Sequence, residues 1–314
     1  MRFAIALACC SVSVLLPAEA QAPTEHARLA QGASSFDAEV PPELEVVRAA
    51  TGHLLVRPHI NGHEPGWFIF DTGAGICVVS TTHQDELELE AAGEIDATGT
   101  GGSASKGLYR AKVVDLGPIT LSDHPIMTTD LSFLTPFLGK EIAGVIGYGV
   151  LSRCVVEIRV GDAEHAPRLA LHDPASYALA NGEWGKLVLH ERIPAVQARF
   201  EDREGLFHLD TGANGWVTFN QPAVVEWKLL EGRELQNAQL GGVGGFVAAK
   251  KGKVAWFELA GLRQENVAVT FATEPKGNYA DAGLAGSIGG EMLRPFTLVL
   301  DYGKERIAFV RNAP

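Results

Sequence analysis

From Leu44 onward, apolar residues fall in short runs separated by glycine, proline, asparagine and aspartate. Examples of these runs are Leu54–Val56, Cys77–Val79, Lys112–Val114 and Val155–Ile158. Short runs rich in β-branched residues and closed by turn-forming residues are typical of β-strands. No long segment between them has the 3.6-residue period of a helix. The pattern therefore predicts an all-β barrel or sandwich.

The tetrapeptide Asp-Thr-Gly-Ala occurs twice, at Asp71–Ala74 and at Asp210–Ala213. Each copy directly follows an apolar, strand-like run, Trp67–Phe70 in the first case and Leu206–Leu209 in the second. By composition, one such match is expected in on the order of one per cent of chains this long. Two matches in the same local setting therefore indicate a repeated unit and not a coincidence.

Further features recur close to the offset of 139 residues that the two tetrapeptides set. In chain order, the paired segments are Gly99–Gly102 with Gly242–Gly245, Ala143–Gly147 with Ala285–Gly289, Leu151–Arg153 with Leu293–Pro295, and Arg168–Leu171 with Arg306–Phe309. Four correspondences in one order are typical of a duplicated domain. We therefore predict two lobes, at residues 44–172 and 186–314, joined by an inter-lobe linker at 173–185.

The first residues have the pattern of an export signal. Arg2 is followed by the apolar stretch Phe3–Leu16 and by Pro17–Ala22, which offers Ala-x-Ala cleavage sites. The stretch is short for a membrane span, which favours cleavage over a retained anchor. A lipoprotein site at Cys9-Cys10 is the less favoured alternative. We predict a signal peptide at 1–20, a disordered linker at 21–43, and an exported, periplasmic or secreted protein.

Charge and cysteine content narrow the function classes. The formal net charge is −12, which disfavours nucleic acid and anionic membrane surfaces as partners. No other segment is long and apolar enough to span a membrane. Cys77 and Cys154 remain after the signal. They form either one disulfide or two buried thiols on strands, and the strand pattern slightly favours the thiols.

Each residue of an Asp-Thr-Gly sequence that follows a buried strand can have a specific structural role. The strand delivers the carboxylate to a turn, the glycine permits close backbone approach, and the threonine hydroxyl can bond to an opposing loop. If the two lobes face each other, Asp71 and Asp210 meet. Two carboxyls about 3 Å apart share one proton, as in the aspartic-protease pair that is the standard example of this effect.

These motifs resemble those of the retropepsin-like aspartyl proteases, in a tandem single-chain form. Proteases of this family have an Asp-Thr-Gly-Ala loop, a glycine-rich flap hairpin, and an apolar-apolar-glycine segment that threads beneath the active loop. Here Gly241–Val247 is similar to a flap tip, and Gly99–Ser103 is a weaker version. The threading segments are Val145–Gly147 and Ser287–Gly289, each followed by a predicted short helix. The resemblance covers nearly the whole chain after residue 44.

The resemblance implies two β-barrel lobes packed about a pseudo-two-fold axis around a central cleft, and an aspartic endopeptidase that acts on extended peptides. It implies a catalytic pair formed by Asp71 and Asp210. It further implies a loop brace formed by Thr72, Thr211, Gly73 and Gly212, and substrate-binding flaps formed by Gly99, Thr100, Gly101, Gly102, Gly241, Gly242, Val243, Gly244 and Gly245. It implies no metal or organic cofactor, and a monomer in which the lobes pair within one chain.

Other interpretations remain beside this one. The same scaffold could be a catalytically silent peptide-binding module. The glycine clusters are not followed by the Lys-Ser/Thr of a phosphate-binding loop, which disfavours nucleotide binding. His59 and His63 bracket an Asn-Gly turn signal, which favours solvent exposure over a metal site. His208 stands where the first copy has Ile69, and we expect it on the outer face of its strand, with an effect on the local field as the minor alternative.

Overall fold

The short apolar runs lie on strands in the folded chain, as the sequence predicts. A computed structural model of the chain describes residues 29–162 and 164–312. Strands account for most of its regular structure, and its helices have between three and six residues. The protein is therefore all-β, built from two curled sheet lobes joined by a smaller shared sheet.

The first lobe is a ten-stranded sheet within the described residues. Its strands are β1 (Ser34–Phe36), β2 (Val47–Arg48), β3 (Leu54–Val56), β4 (His59–Ile60), β5 (Trp67–Phe70), β6 (Cys77–Ser80), β7 (Glu90–Gly99), β8 (Gly102–Leu116), β9 (Ile119–Thr129) and β10 (Ile142–Ile146). Strand β10 lies between β5, to which it is parallel, and β6, to which it is antiparallel. This is the threading segment that the sequence predicts, directly beside the strand that leads to Asp71.

The second lobe repeats this arrangement in an eight-stranded sheet within the described residues. Its strands are β14 (Val188–His190), β15 (Ile193–Phe200), β16 (Arg203–Asp210), β17 (Val217–Phe219), β18 (Gln236–Gly242), β19 (Gly245–Leu259), β20 (Leu262–Ala272) and β21 (Gly286–Gly289). Strand β21 lies parallel to β16 and antiparallel to β17. The equivalent position of β10 and β21 agrees with a duplicated unit.

A third sheet takes strands from both halves of the chain. Its members, in spatial order, are β12 (Arg168–His172), β11 (Val155–Arg159), β22 (Phe296–Asp301), β23 (Arg306–Arg311) and β13 (Gly185–Lys186). Strand β11 of the first half pairs antiparallel with β22 of the second half over five residues. These backbone hydrogen bonds fix the two lobes against each other beneath the cleft.

The helical elements are single turns at strand ends. They are the α-helices α1 (Thr135–Leu138), α2 (Tyr148–Leu151), α3 (Gln221–Glu226) and α4 (Gly290–Leu293), and the 3₁₀ turns Thr81–His83, Ser132–Leu134 and Gly277–Ala280. Helices α2 and α4 directly follow the threading strands β10 and β21. The short helix that the resemblance implies after each threading segment is therefore present in both lobes.

The two lobes have different cores. The second lobe contains a cluster of packed rings, with Phe200 in contact with Phe207, Phe219 and Phe257 at centroid separations of 4.8 to 6.2 Å. The first lobe is filled mainly by aliphatic side chains around Phe68 and Phe70. Offset and edge-to-face ring pairs add stability beyond the burial of apolar surface. The lobes thus share a topology while their interiors have diverged.

One part of the predicted linker is ordered. We expected residues 21–43 to be disordered, but Ser34–Phe36 forms a strand that pairs antiparallel with Ile119–Leu121 of β9. Glu43 forms a β-bridge with Ala170. The reason is that both partners present free backbone groups at a sheet edge, and an incoming strand satisfies them whatever its own composition. The remainder of that prediction, up to residue 28, lies outside the described residues, as does the predicted signal peptide.

No helix in the described ranges has the length and apolar character that a bilayer span requires. Cys77 in the first lobe and Cys154 before β11 are buried free thiols. Burial raises the pKa of each thiol. The thiol interpretation that the strand pattern favours is therefore confirmed.

Candidate active site

Each Asp-Thr-Gly loop begins where a buried central strand ends. Strand β5 leads to Asp71, whose amide donates to the carbonyl of Ile146 at 2.9 Å. In the second lobe, Asp210 is the last residue of β16 and pairs with Gly289 of β21. The threading strand thus holds the start of each loop from one side. Each carboxyl is delivered to the end of a rigid strand at the surface between the lobes.

The threonines of the two loops bond reciprocally across the lobes. The amide of Thr72 donates to Oγ1 of Thr211, and the amide of Thr211 donates to Oγ1 of Thr72, both at 3.0 Å. The Thr72 hydroxyl donates to the carbonyl of Leu209 at 2.7 Å, and the Thr211 hydroxyl donates to that of Phe70 at 2.9 Å. Both side chains are buried. Four hydrogen bonds related by a two-fold axis therefore join the loops beneath the aspartates.

The glycines of the loops allow each backbone to touch the opposite carboxyl. A Cβ at Gly73 would lie 2.6 Å from Cγ of Asp210, and a Cβ at Gly212 would collide with the Asp71 carboxyl. The Gly73 amide donates to Oδ1 of Asp71 at 2.7 Å. Only glycine fits at either position, because any side chain would separate the loops.

The carboxyls of Asp71 and Asp210 come together between the lobes, because each lies against the glycine of the opposite loop, Asp71 at Gly212 and Asp210 at Gly73. Burial is the main cause that raises the pKa of both carboxyls, because it disfavours the charged form. For Asp210 the pKa rises well above its usual 3.8, and the nearby Asp71 carboxylate, mainly through its charge, raises it further. For Asp71 the amide of Gly73 and the charge of His53 oppose the effect of burial. Two buried carboxyls in this arrangement hold one proton between them more readily than none.

The two glycine-rich hairpins meet above the aspartates. The first hairpin consists of β7 and β8, the second of β18 and β19, and the tips are Thr100-Gly101 and Val243-Gly244. The Gly101 amide donates to the carbonyl of Val243 at 3.1 Å. A Cβ at Gly101 would collide with the carbonyl of Gly244. All nine residues predicted for the flaps therefore lie in or directly beside two hairpin tips that are in contact.

Comparison with known proteins agrees with this geometry. A family model described as aspartyl protease matches residues 56–150 and again residues 196–303. The two matches together cover more than half of the chain, and each contains one of the two loops. The chain belongs to the aspartyl protease family. The two separate matches confirm the tandem, retropepsin-like form that the sequence predicts. A search of curated proteins finds no match.

In this aspartyl protease the hairpin tips differ between lobes, as the sequence indicates. Val243 packs against an apolar cluster of the first lobe that includes Ile69, Val78 and Met127. The Thr100 hydroxyl lies against the backbone of Gly242 in the opposite hairpin. One tip therefore presents an apolar contact across the cleft and the other a polar one. This difference agrees with the unequal flaps that we expected from sequence.

Two residues near the aspartates are absent from the sequence prediction. His53 precedes β3, and its Nε2 lies 2.9 Å from the carbonyl oxygen of Gly212. Tyr279 lies on the 3₁₀ turn Gly277–Ala280, which packs against the tip of the first hairpin. Burial and the charge of Asp210 raise the pKa of Tyr279 to about 12. Neither residue belongs to a repeated motif, so the internal repeat gives no signal for them.

The histidine pair on either side of the Asn-Gly signal is placed as the sequence predicts. His59 and His63 flank a tight turn in which Asn61 and Gly62 have positive φ, and both histidines are exposed as expected. Among the described residues, no group of three His, Cys, Asp or Glu has the arrangement of a metal site.

His208 is partly buried and its ring lies 5.5 Å from that of His190. Burial lowers the pKa of His208 to about 4, with a further lowering by the charge of His190. Asp281, which lies 2.6 Å from Nε2 of His190, opposes this shift. The electrostatic neighbours of His208 are thus His190 and Asp281. Phe207 and Leu209 on either side of it are buried, so His208 lies on the opposite face of β16, as expected, where it is only partly exposed.

Proposed function

We propose that this aspartyl protease is an endopeptidase that hydrolyses extended peptides with a water activated by Asp71 and Asp210. The observation that carries the proposal is the placement of two carboxyls from separate lobes, each against the glycine of the opposite loop, together with two hairpins whose tips touch. The ionised carboxylate takes a proton from water, while the protonated carboxyl polarises the peptide carbonyl. No metal or organic cofactor enters this mechanism.

The brace gives the pair its geometry in this proposal. The reciprocal bonds of Thr72 and Thr211 hold the two loops in one register, and this fixes the position of one carboxyl relative to the other. Gly73 and Gly212 keep backbone groups close to the bound peptide. Rigid placement of reacting groups lowers the barrier because little reorganisation remains to be made in the transition state.

The hairpins act as flaps that close on the substrate. In the present arrangement the tips touch through Gly101 and Val243, so a peptide enters only after this contact opens. Once inside, an extended peptide can pair its main chain with the flap strands and with the loops below. Main-chain pairing selects extended segments and leaves side-chain preference to the walls of the cleft.

The proposal includes export and an intramolecular pair. The predicted signal peptide lies outside the described residues, and export rests on the sequence pattern of residues 1–20. Because both aspartates lie in one chain, a monomer contains a complete pair, and no second copy is needed. Activity that elutes with the mass of a single chain would support this, whereas activity found only in a dimer would contradict it.

The function is tested by cleavage of unfolded protein from acid to neutral pH. We expect Asp71→Asn and Asp210→Asn each to lower kcat/KM by roughly 10²–10⁴-fold, the usual loss for a general acid or base. Asp85→Asn, which changes an exposed aspartate of the first lobe, serves as the matched control. A statine-type transition-state mimic should inhibit the wild type.

The outcomes separate the alternatives. Cleavage that survives either substitution at position 71 or 210 would remove the pair from the mechanism. A wild-type protein that binds peptides and cleaves none would support the silent peptide-binding module. Cleavage confined to one exported protein would indicate narrow specificity on the same chemistry.

A further inference from the structure

A histidine of the first lobe is hydrogen-bonded to the loop of the second. Nε2 of His53 lies 2.9 Å from the carbonyl oxygen of Gly212, and Nδ1 lies 2.8 Å from Oγ1 of Thr51. A carbonyl oxygen can only accept, so Nε2 carries a hydrogen. Nδ1 is then the atom that gains or loses a proton, and the Thr51 hydroxyl can pair with it in either state. The imidazole thus remains bonded to Gly212 whether it is neutral or charged.

Among the described residues, the bond between His53 and Gly212 has no counterpart at the position related to it by the pseudo-two-fold axis. The residue at the equivalent offset from His53 is Arg192, whose guanidinium lies 5.8 Å from the ring centroid of Tyr148. Within the described part of the chain, Gly73 accepts no side-chain hydrogen bond that would match the one at Gly212. Among the described residues, a histidine therefore bonds to the backbone of the Asp210 loop, and none bonds to the backbone of the Asp71 loop.

The charges around His53 favour an effect on one aspartate. Asp71 is the anionic group whose charge His53 interacts with most strongly. The Asp71 carboxyl lies against Gly212, the residue whose carbonyl His53 binds, whereas the Asp210 carboxyl lies against Gly73 of the other loop. The remaining charged groups form a chain in which Arg48, beside Gly52, contacts Glu291 at 4.0 Å and Glu291 contacts Arg294. Because this chain carries both signs, its field at His53 is partly compensated.

We propose that His53 is a positioning residue of the site, which fixes the Gly212 peptide and biases the shared proton toward Asp210, so that Asp71 is the carboxylate that activates water. The proposal rests on the proposed function for its catalytic meaning. Its physical content, the location of the proton and the residue that sets it, can be measured without catalysis.

The direction of the pH effect follows from the charge. Burial lowers the pKa of His53 from its usual 6.5, so the ring becomes charged only on the acid side of neutrality. A positive ring favours the ionised form of Asp71 and keeps the pair singly protonated at lower pH. Below the pH at which Asp71 also takes a proton, no base remains and activity ends. His53 therefore extends the active range toward acid.

The test compares His53→Gln, His53→Phe and Arg192→Gln. Glutamine retains an N–H donor for Gly212 but cannot take up a proton, whereas phenylalanine loses both properties. For His53→Gln we expect the acid limb of kcat/KM to move to higher pH by about half to one unit, as for a unit charge several ångströms away. For His53→Phe we expect the same movement and a further fall in kcat at the optimum, with rescue of that fall by glutamine.

A second readout needs no substrate. In purified protein with ¹³C-labelled aspartate carboxyls, assigned by loss of one resonance in Asp71→Asn or Asp210→Asn, the Asp71 carbon should titrate at lower pH than the Asp210 carbon. The Asp71 titration should move to higher pH in His53→Gln and remain in place in Arg192→Gln.

Several results would overturn the inference. One is an Asp210 carbon that titrates at lower pH than the Asp71 carbon. Another is an acid limb of kcat/KM that is identical in the wild type and His53→Gln. The third is an acid limb that moves as far in Arg192→Gln as in His53→Gln. If the wild type cleaves no peptide but the carboxyls titrate in the expected order, the proposed function fails while the location of the proton stands. The two failures are therefore distinguishable.

Discussion

The two lobes are equal where their loops meet and unequal around that point. Thr72 and Thr211 make the same two hydrogen bonds in opposite directions, with distances that agree within 0.2 Å. A few ångströms away, His53 bonds to Gly212 while Arg192 lies over an aromatic ring. Contact between the two carboxyls requires the same threonine and glycine in each loop. The residues around each loop are not constrained in this way and can differ.

The same contrast holds farther from the aspartates. Ile69 of the first lobe is replaced by His208 in the second, and the two hairpin tips carry Thr100 and Val243. Strand topology is unchanged by these differences, because backbone pairing depends little on which side chains it carries. Duplication therefore preserved the scaffold and the reciprocal brace. Divergence acted on the groups that tune the electrostatics and line the cleft.

The largest expected effect tests whether Thr72 and Thr211, one from each lobe, contribute equally to stability. We expect Thr72→Val and Thr211→Val each to lower the free energy of unfolding by about 2–4 kcal/mol, because each leaves one amide and one carbonyl buried without a partner. Urea unfolding of the two variants measures the loss. Thr72→Ser and Thr211→Ser keep the hydroxyl and should retain most of the stability.

The double variant sharpens this test. Because each hydroxyl pairs with a backbone group of the other loop, the two losses should not add independently. A large loss in only one of the single variants would show that the brace is not reciprocal in its energetics, whatever its geometry.

Replacing His208 with isoleucine, the residue at the equivalent position 69 of the first lobe, should stabilise the protein in acid. His208 has a pKa of about 4 in the folded protein, below its usual 6.5. As pH falls through 6.5, the unfolded chain binds a proton that the folded one does not, so stability is lost until pH 4. His208→Ile removes this loss, with a gain of up to about 3 kcal/mol at pH 4 and little electrostatic gain above pH 7.

Urea midpoints at pH 7, 5.5 and 4 check the prediction, with the exposed His63→Ile as a matched control. A gain that does not depend on pH would show that packing, and not protonation, limits stability at this site.

The contact between the hairpin tips can be broken from one side. Gly101→Ala places a methyl group on the carbonyl of Gly244 and prevents the closed arrangement. We expect kcat/KM to fall by about 10- to 100-fold, as for other small displacements of positioning groups. Gly303→Ala, in the exposed turn between β22 and β23, is the control, because an added Cβ there meets only Oδ1 of Asp301 at an ordinary contact distance of 3.8 Å. Unchanged cleavage in Gly101→Ala would indicate that the tips need not meet during catalysis.

The smallest expected difference concerns ion pairs. In the second lobe Arg233 holds Glu201 with two bonds, at 3.0 and 2.7 Å, in a partly buried setting. In the first lobe Arg57 contacts Glu64 at 2.9 Å on the exposed surface. We expect Arg57→Ala to cost less than about 1 kcal/mol and Arg233→Ala to cost about 1–3 kcal/mol.

The pH dependence distinguishes these pairs. The bonds of Arg233 are the main cause that lowers the pKa of Glu201. A lowered carboxyl pKa contributes stability that is present above the usual 4.5 and is lost as pH falls through the folded value. The cost of Arg233→Ala, measured by urea unfolding, should therefore shrink in strong acid. A cost that stays constant with pH would exclude the ion pair as its source.

The sequence by itself determined the class of fold and its duplication. Short apolar runs closed by turn-forming residues indicate strands, and a repeat of ordered motifs indicates that the same unit is built twice. It also singled out Asp71 and Asp210, because an Asp-Thr-Gly after a buried strand is a local pattern. The threading strands and the short helices after them were predicted from the resemblance to the retropepsin-like family.

Only the tertiary structure decided which groups surround the aspartates. His53 and Gly212 are 159 residues apart, and Ser34–Phe36 finds β9 more than eighty residues farther along the chain. Such contacts depend on how two lobes dock and on which sheet edges stay open. No local periodicity encodes either of these. The chain thus specifies its strands and its paired acids locally, while packing between distant segments determines the field in which those acids lie.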